Sequence, residues 1–150
     1  MMTGMSKKSA KIAALIDHCQ GDGTGWDPHY LGFFACFNRG LFYEAHDVLE
    51  ELWLPLRRER EGDFYKGLIQ LAGAFVLLQK GRLAPAARLF EMARENLVKY
   101  PDHHQGLQIS RITRLISDWA GWLDEGDPAV NPLGIHPAPR LDLPTDPLHP

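Results

Sequence analysis

The chain has 150 residues and a formal charge of −3, long enough for one domain that buries roughly two thirds of its unfolded surface. Its 45% hydrophobic and 23% charged residues are ordinary for a soluble globular protein, and the acidic balance argues against a general nucleic-acid binder. Two cysteines, Cys19 and Cys36, cannot build a disulfide framework or a zinc finger, and no apolar run reaches signal-peptide or bilayer-spanning length. The expected setting is cytoplasmic, without nucleic acid or membrane as partner.

Residues 1–8 read as a disordered lead. Ile12, Leu15, Ile16 and Cys19 then recur at helical spacing, and the glycines of 21–25 close that helix. Asp27-Pro28 is a start signal, because Asp27 can cap free N–H groups and Pro28 loses no hydrogen bond in the first turn. Tyr30, Leu31, Phe33, Phe34 and Phe37 follow, and Asn38-Arg39-Gly40 stops that helix. The next is predicted over Phe42–Leu54, with Pro55 ending it. Asp63 is expected to cap a helix to Lys80 that is apolar almost all round, hence the central element. Further helices are predicted over Ala86–Tyr100 and Gln105–Asp124, the second with Ile112, Leu115, Ile116, Trp119, Trp122 and Leu123 in register. His103 and His104 read as exposed before it. Seven of the eleven prolines lie in 128–150, so 127–150 is an extended tail, loose or draped over the rest. No strand pattern occurs. The fold class is an all-α single domain, a bundle of five to six helices over 9–126.

Gly40–Leu52 and Gly81–Ala93 echo one another, with Gly40/Gly81, Ala45/Ala86, Val48/Leu89, Leu49/Phe90 and Glu50/Glu91 aligned. Glycine, a small residue and a large apolar pair are what tetratricopeptide-like hairpins show. The spacing of 41 residues differs from their usual ~34, and two copies are fewer than such scaffolds need.

The densest chemistry lies in Tyr43–Trp53, which holds one histidine and four carboxylates. At about 100 degrees per residue, Phe42, Ala45, Leu49, Leu52 and Trp53 face the core. Glu44, Asp47 and Glu51 point to water, and His46 and Glu50 are neighbours at the boundary. An imidazole and a carboxylate at i, i+4 can hold a divalent metal with help from a facing helix, or the carboxylate can fix the imidazole tautomer for acid–base work. They can equally be a structural pair, since unpaired burial costs about 1–3 kcal/mol. Gln70 is placed to hydrogen-bond either across the interface, with Tyr65 and Tyr43 in reach. Trp119, Trp122 and Cys36 read as core.

His46, Glu50 and Trp53 form an HxxxExxW motif, followed by Gly-Leu-Ile-Gln at Gly67–Gln70. With these two blocks in order, residues 33–100 resemble the bacterial and archaeal domain-of-unknown-function family 309. The resemblance implies a small helical bundle, no established reaction, and a suggested metal role for the histidine–glutamate pair. Many members carry a further histidine where this chain has Val76 or Leu77, so a facing ligand is missing here.

The expected site is a ligand or weak divalent-metal pocket at His46, Glu50, Trp53 and Gln70, with Tyr43 and Tyr65 beside it, and with His46 and Glu50 as the metal ligands. The other expectation is a tetratricopeptide-like interaction module, with a protein partner or a second copy, in which His46 and Glu50 are structural and the tail or a partner peptide lies in a groove. No catalytic residue or reaction is named by the sequence.

Overall fold

The computed structural model describes residues 6–17 and 25–146. The predicted lead up to residue 5, Cys19, the linker glycines before Gly25, and His149 lie outside the described residues. Six helices follow in order: α1 (Lys7–Ile16), α2 (Pro28–Phe37), α3 (Phe42–Leu56), α4 (Gly62–Gln79), α5 (Leu83–Leu97) and α6 (Ile109–Glu125). The protein is all-α, with a minimal antiparallel pair β1 (His103–His104) and β2 (Leu107–Gln108) before α6.

Local signals explain most boundaries. Asp27 accepts from the His29 N–H at 2.8 Å, as an N-cap with Pro28 behind it should. The echo between 40 and 81 has a physical basis. Gly40 and Gly81 both take positive φ, +74° and +73°, and each closes the preceding helix with the same pair of hydrogen bonds. Gly40 and Leu41 donate to Phe37 and Cys36, while Gly81 and Arg82 donate to Leu78 and Leu77. This is the Schellman ending, which glycine allows without a Cβ penalty. Two helical hairpins, α2–α3 and α4–α5, therefore share one turn.

Several boundaries differ from expectation. Ser6 caps α1, so that helix begins inside the predicted lead. Pro55 lies within the last turn of α3, where only one further residue stays helical. Asp63 does not cap α4, whose cap is Glu61; Asp63 instead pairs with Lys99 at 2.8 Å. Helix α5 begins three residues early because Pro85 sits in its first turn, where a missing N–H costs little. Residues 105–108, predicted helical, form a turn and β2, since Gln105 and Gly106 both take positive φ.

The core is aromatic. Phe75 on α4 touches Phe37 of α2, Phe42 of α3, Phe90 of α5 and Trp119 of α6, with ring centroids 4.9–5.7 Å apart. Such pairs are worth about 0.5–1.5 kcal/mol each beyond area burial, so one side chain ties five helices together. Helices α4 and α5 pack closely: a Cβ at Gly67 would stand 2.9 Å from Leu97 Cγ.

The tail is draped over the bundle as far as residue 146. Asn131 donates to the Leu78 carbonyl, and the His136 ring stacks on Trp122 with centroids 3.6 Å apart. Leu141 and Pro144 are buried. No helix among the described residues is long and apolar enough to cross a membrane.

Candidate functional site

On α3, His46 and Glu50 share a face, as their spacing requires, yet each takes a different partner. His46 Nδ1 lies 3.1 Å from Asp47 Oδ1. Glu50 accepts from Lys8 of α1 at 2.9 Å, and the same ammonium lies 3.6 Å from Asp47. The Glu50 hydrogen bond and the nearby carboxylates hold the Lys8 ammonium above its usual range. Asp47 and Glu51, expected in water, are instead met by α1 and α2. Asp47 keeps only 16% of its side chain exposed, and Glu51 accepts from Ser9 Oγ and pairs with His29 Nε2, both at 3.1 Å. Angular bookkeeping on α3 alone cannot know that α1 docks on its acidic side.

The other expected members separate. Gln70 is buried, but its oxygen accepts from Asn96 Nδ2 of α5 at 2.7 Å and not from α3. Tyr65 is buried and exchanges hydrogen bonds with Gln105, at 3.1 and 3.3 Å, in a different region. Tyr43 is 52% exposed. Trp53 buries its indole Nε1 with no acceptor among the described residues, an omission that costs about 1–3 kcal/mol. A divalent site is short of ligands here. Glu50 is engaged by an ammonium, and no three His, Cys, Asp or Glu side chains converge among the described residues. A hydrogen bond between Asp47 and Nδ1–H of the neutral imidazole would leave Nε2 as the free acceptor.

A second arrangement surrounds the tail. Asn38, the C-cap of α2, donates from Nδ2 to the Leu141 carbonyl at 2.9 Å and accepts the Leu141 N–H on Oδ1 at 2.7 Å. One amide thus satisfies both backbone polar groups of a single tail residue. Trp26 Nε1 donates to the Thr145 carbonyl at 2.7 Å, and the Thr145 N–H donates to the Gly106 carbonyl at 2.9 Å. Gly106 is needed twice over, because its φ is +75° and a Cβ there would stand 2.6 Å from Thr145 O.

Beneath this strap is a polar layer. The Tyr30 hydroxyl donates to the Gln105 carbonyl at 2.7 Å, while Glu61 accepts from Gln105 Nε2 and meets His104 Nε2, both at 2.5 Å. Burial pushes both the Tyr30 and the Tyr65 hydroxyls upward from the usual range. His103 is exposed as expected, but His104 is not: 16% of its side chain is exposed, and its ring lies against Phe64 and Tyr100.

The strap residues were not singled out by sequence. Asn38 reads as a helix stop, which it also is. The available signal was the scatter of aliphatic residues, Val130, Leu133, Ile135, Leu141 and Leu143, in a proline-rich tail.

The DUF309 family, described as a domain of unknown function, matches residues 30–89, from α2 into α5. An uncharacterized protein of Aquifex aeolicus (strain VF5) is 29% identical over 92 residues, 61% of this chain and 28% of that protein. The chain therefore spans little more than a quarter of that relative's length. No solved structure matches. Over residues 30–89, two fifths of its length, the chain is similar to the DUF309 family.

Proposed function

We propose that this chain is a helical protein-interaction module that holds an extended peptide segment along α2 and the 103–108 hairpin. The observation that carries this reading is the Asn38 amide, which pairs with both backbone groups of Leu141. Backbone-directed bonds of this kind hold any extended chain, and side-chain pockets then supply the choice. In cis the occupant is the tail. A tethered segment has an effective concentration in the mM range, so a partner segment gains access when the tail is loosened. The test is a fluorescence-anisotropy titration of a labelled peptide, residues 137–146, against the full chain carrying Leu141→Asp, with and without Asn38→Ala. Saturable binding weakened by Asn38→Ala supports the module; no binding to a folded host removes it.

A second reading, a polar ligand pocket on α3, is favoured by one specific observation. The buried Trp53 indole N–H lacks an acceptor among the described residues, and the partly exposed His46 ring lies on the same helix. A ligand with an acceptor group would satisfy the indole N–H, whereas a divalent ion would need ligands beyond His46 and Glu50. The test follows the Trp53 indole N–H resonance while small carboxylic acids, amides and Zn²⁺ are added to wild type and His46→Ala. A shift that needs His46 supports the pocket. An indole resonance that none of them moves sinks it.

A further inference from the structure

Resting on the interaction-module reading, we infer that the groove is selective, and that its partner is an extended segment carrying leucine, an acidic residue, any residue, then proline. The tail supplies the template. Leu141 is 7% exposed and lines a cavity with Leu107, Ile112 and Leu115, so the first position takes a branched aliphatic side chain. Asp142 Oδ2 lies 3.2 Å from Arg111 Nε, which places a cation against the second position. Leu143 is 65% exposed, so the third position is unread. Pro144 is buried above Gly106, with its Cβ 3.1 Å from where a Gly106 Cβ would stand. After it, the Thr145 N–H and carbonyl are taken by Gly106 and Trp26.

Two apolar anchors three residues apart match the three-residue turn of polyproline II, a conformation that proline prepays entropically. A helical segment would put positions one and four on one face as well. It would nevertheless tie up the N–H and carbonyl that Asn38 needs at the first anchor. An extended partner is therefore required. On the bundle side, Arg114 joins Arg111 around one neighbouring cavity, which Asp118 also lines.

The experiment uses the full chain with its own strap loosened by Leu141→Asp, and a second host with Thr145→Pro in case the first fails to fold; circular dichroism checks both. The probe is the labelled peptide Pro-Arg-Leu-Asp-Leu-Pro-Thr-Asp, residues 139–146. Its leucine-anchor variant (the Leu141 equivalent to Ala) is expected to bind about 10–100-fold more weakly, as loss of a buried aliphatic side chain implies. Replacing the aspartate by lysine should cost up to about fivefold, the range of an exposed ion pair. Arg111→Glu should then prefer the lysine peptide. Replacing the exposed leucine should change nothing. If the native peptide and a permuted one bind alike and Asn38→Ala weakens both, the motif is overturned while the module stands. If no peptide binds to either folded host, both fall.

Discussion

The acidic face of α3 and the tail groove each gather side chains from distant parts of the chain, but by different bonds. On α3 the contacts run between polar side chains: the Lys8 ammonium to Glu50 and Asp47, and the His29 ring to Glu51. Around the tail they run from side chains to backbone: Asn38 to Leu141, Trp26 to Thr145. Partly exposed ion pairs are screened and worth about 0–1 kcal/mol. They position α1 without holding it tightly. Backbone-directed bonds beside a buried leucine hold an extended chain whatever its sequence, which is a property of recognition surfaces. His46, Glu50 and Trp53 lie on the first face; Asn38 of the second also lies inside the region matched by the family model, while Leu141 and Thr145 lie beyond it.

The sharpest way to break this contrast is to empty the tail's anchor. Leu141→Ala should cost about 2–5 kcal/mol of tail docking, the range for a buried leucine. It should be read as faster hydrogen exchange at 138–146 with α4 unchanged. Asn38→Ala leaves the Leu141 N–H and carbonyl unpaired and should cost about 1–3 kcal/mol by the same measurement. An equal loss of protection in α4 would mean that the tail is part of the core and not a docked segment.

Alkaline pH probes the layer under the strap. Burial raises Tyr30 and Tyr65 above the ordinary tyrosine value near 10. Above that pH the unfolded chain releases these protons first, so it binds fewer protons than the native state and stability falls as pH rises. Chemical denaturation between neutral pH and pH 11 should show this decline, and Tyr30→Phe should lessen it. The smallest effect belongs to α3. Glu50→Gln should change stability by less than about 1 kcal/mol, because Lys8 is half exposed. A larger loss in thermal unfolding would mean that α1 is held as firmly as the tail.

Much of the bundle was legible from residues 27 to 100. Asp27-Pro28, Gly40, Gly81 and the helical spacing of apolar residues act within a few positions of themselves, so their effects can be read locally. The echo between the two hairpins was legible too, and its cause is a shared Schellman turn. Pro55 and Pro85 misled because proline is tolerated in terminal turns. The 103–108 hairpin was missed because two positive-φ residues at Gln105-Gly106 overrode a helical pattern.

The candidate site was legible only as a list of residues on faces. Spacing put His46, Glu50 and Trp53 on one side of α3, and no more than that follows from 3.6 residues per turn. Which acid holds His46, whether Gln70 turns to α3 or α5, and what covers Asp47 depend on the packing of neighbours. Sequence by itself determined the helices, their apolar faces and the two turns, because each is set by bonds within about one turn of chain. Only the tertiary structure decided that Asn38 meets Leu141, 103 residues away: a hydrogen bond between residues so far apart depends on the shape of the bundle between them.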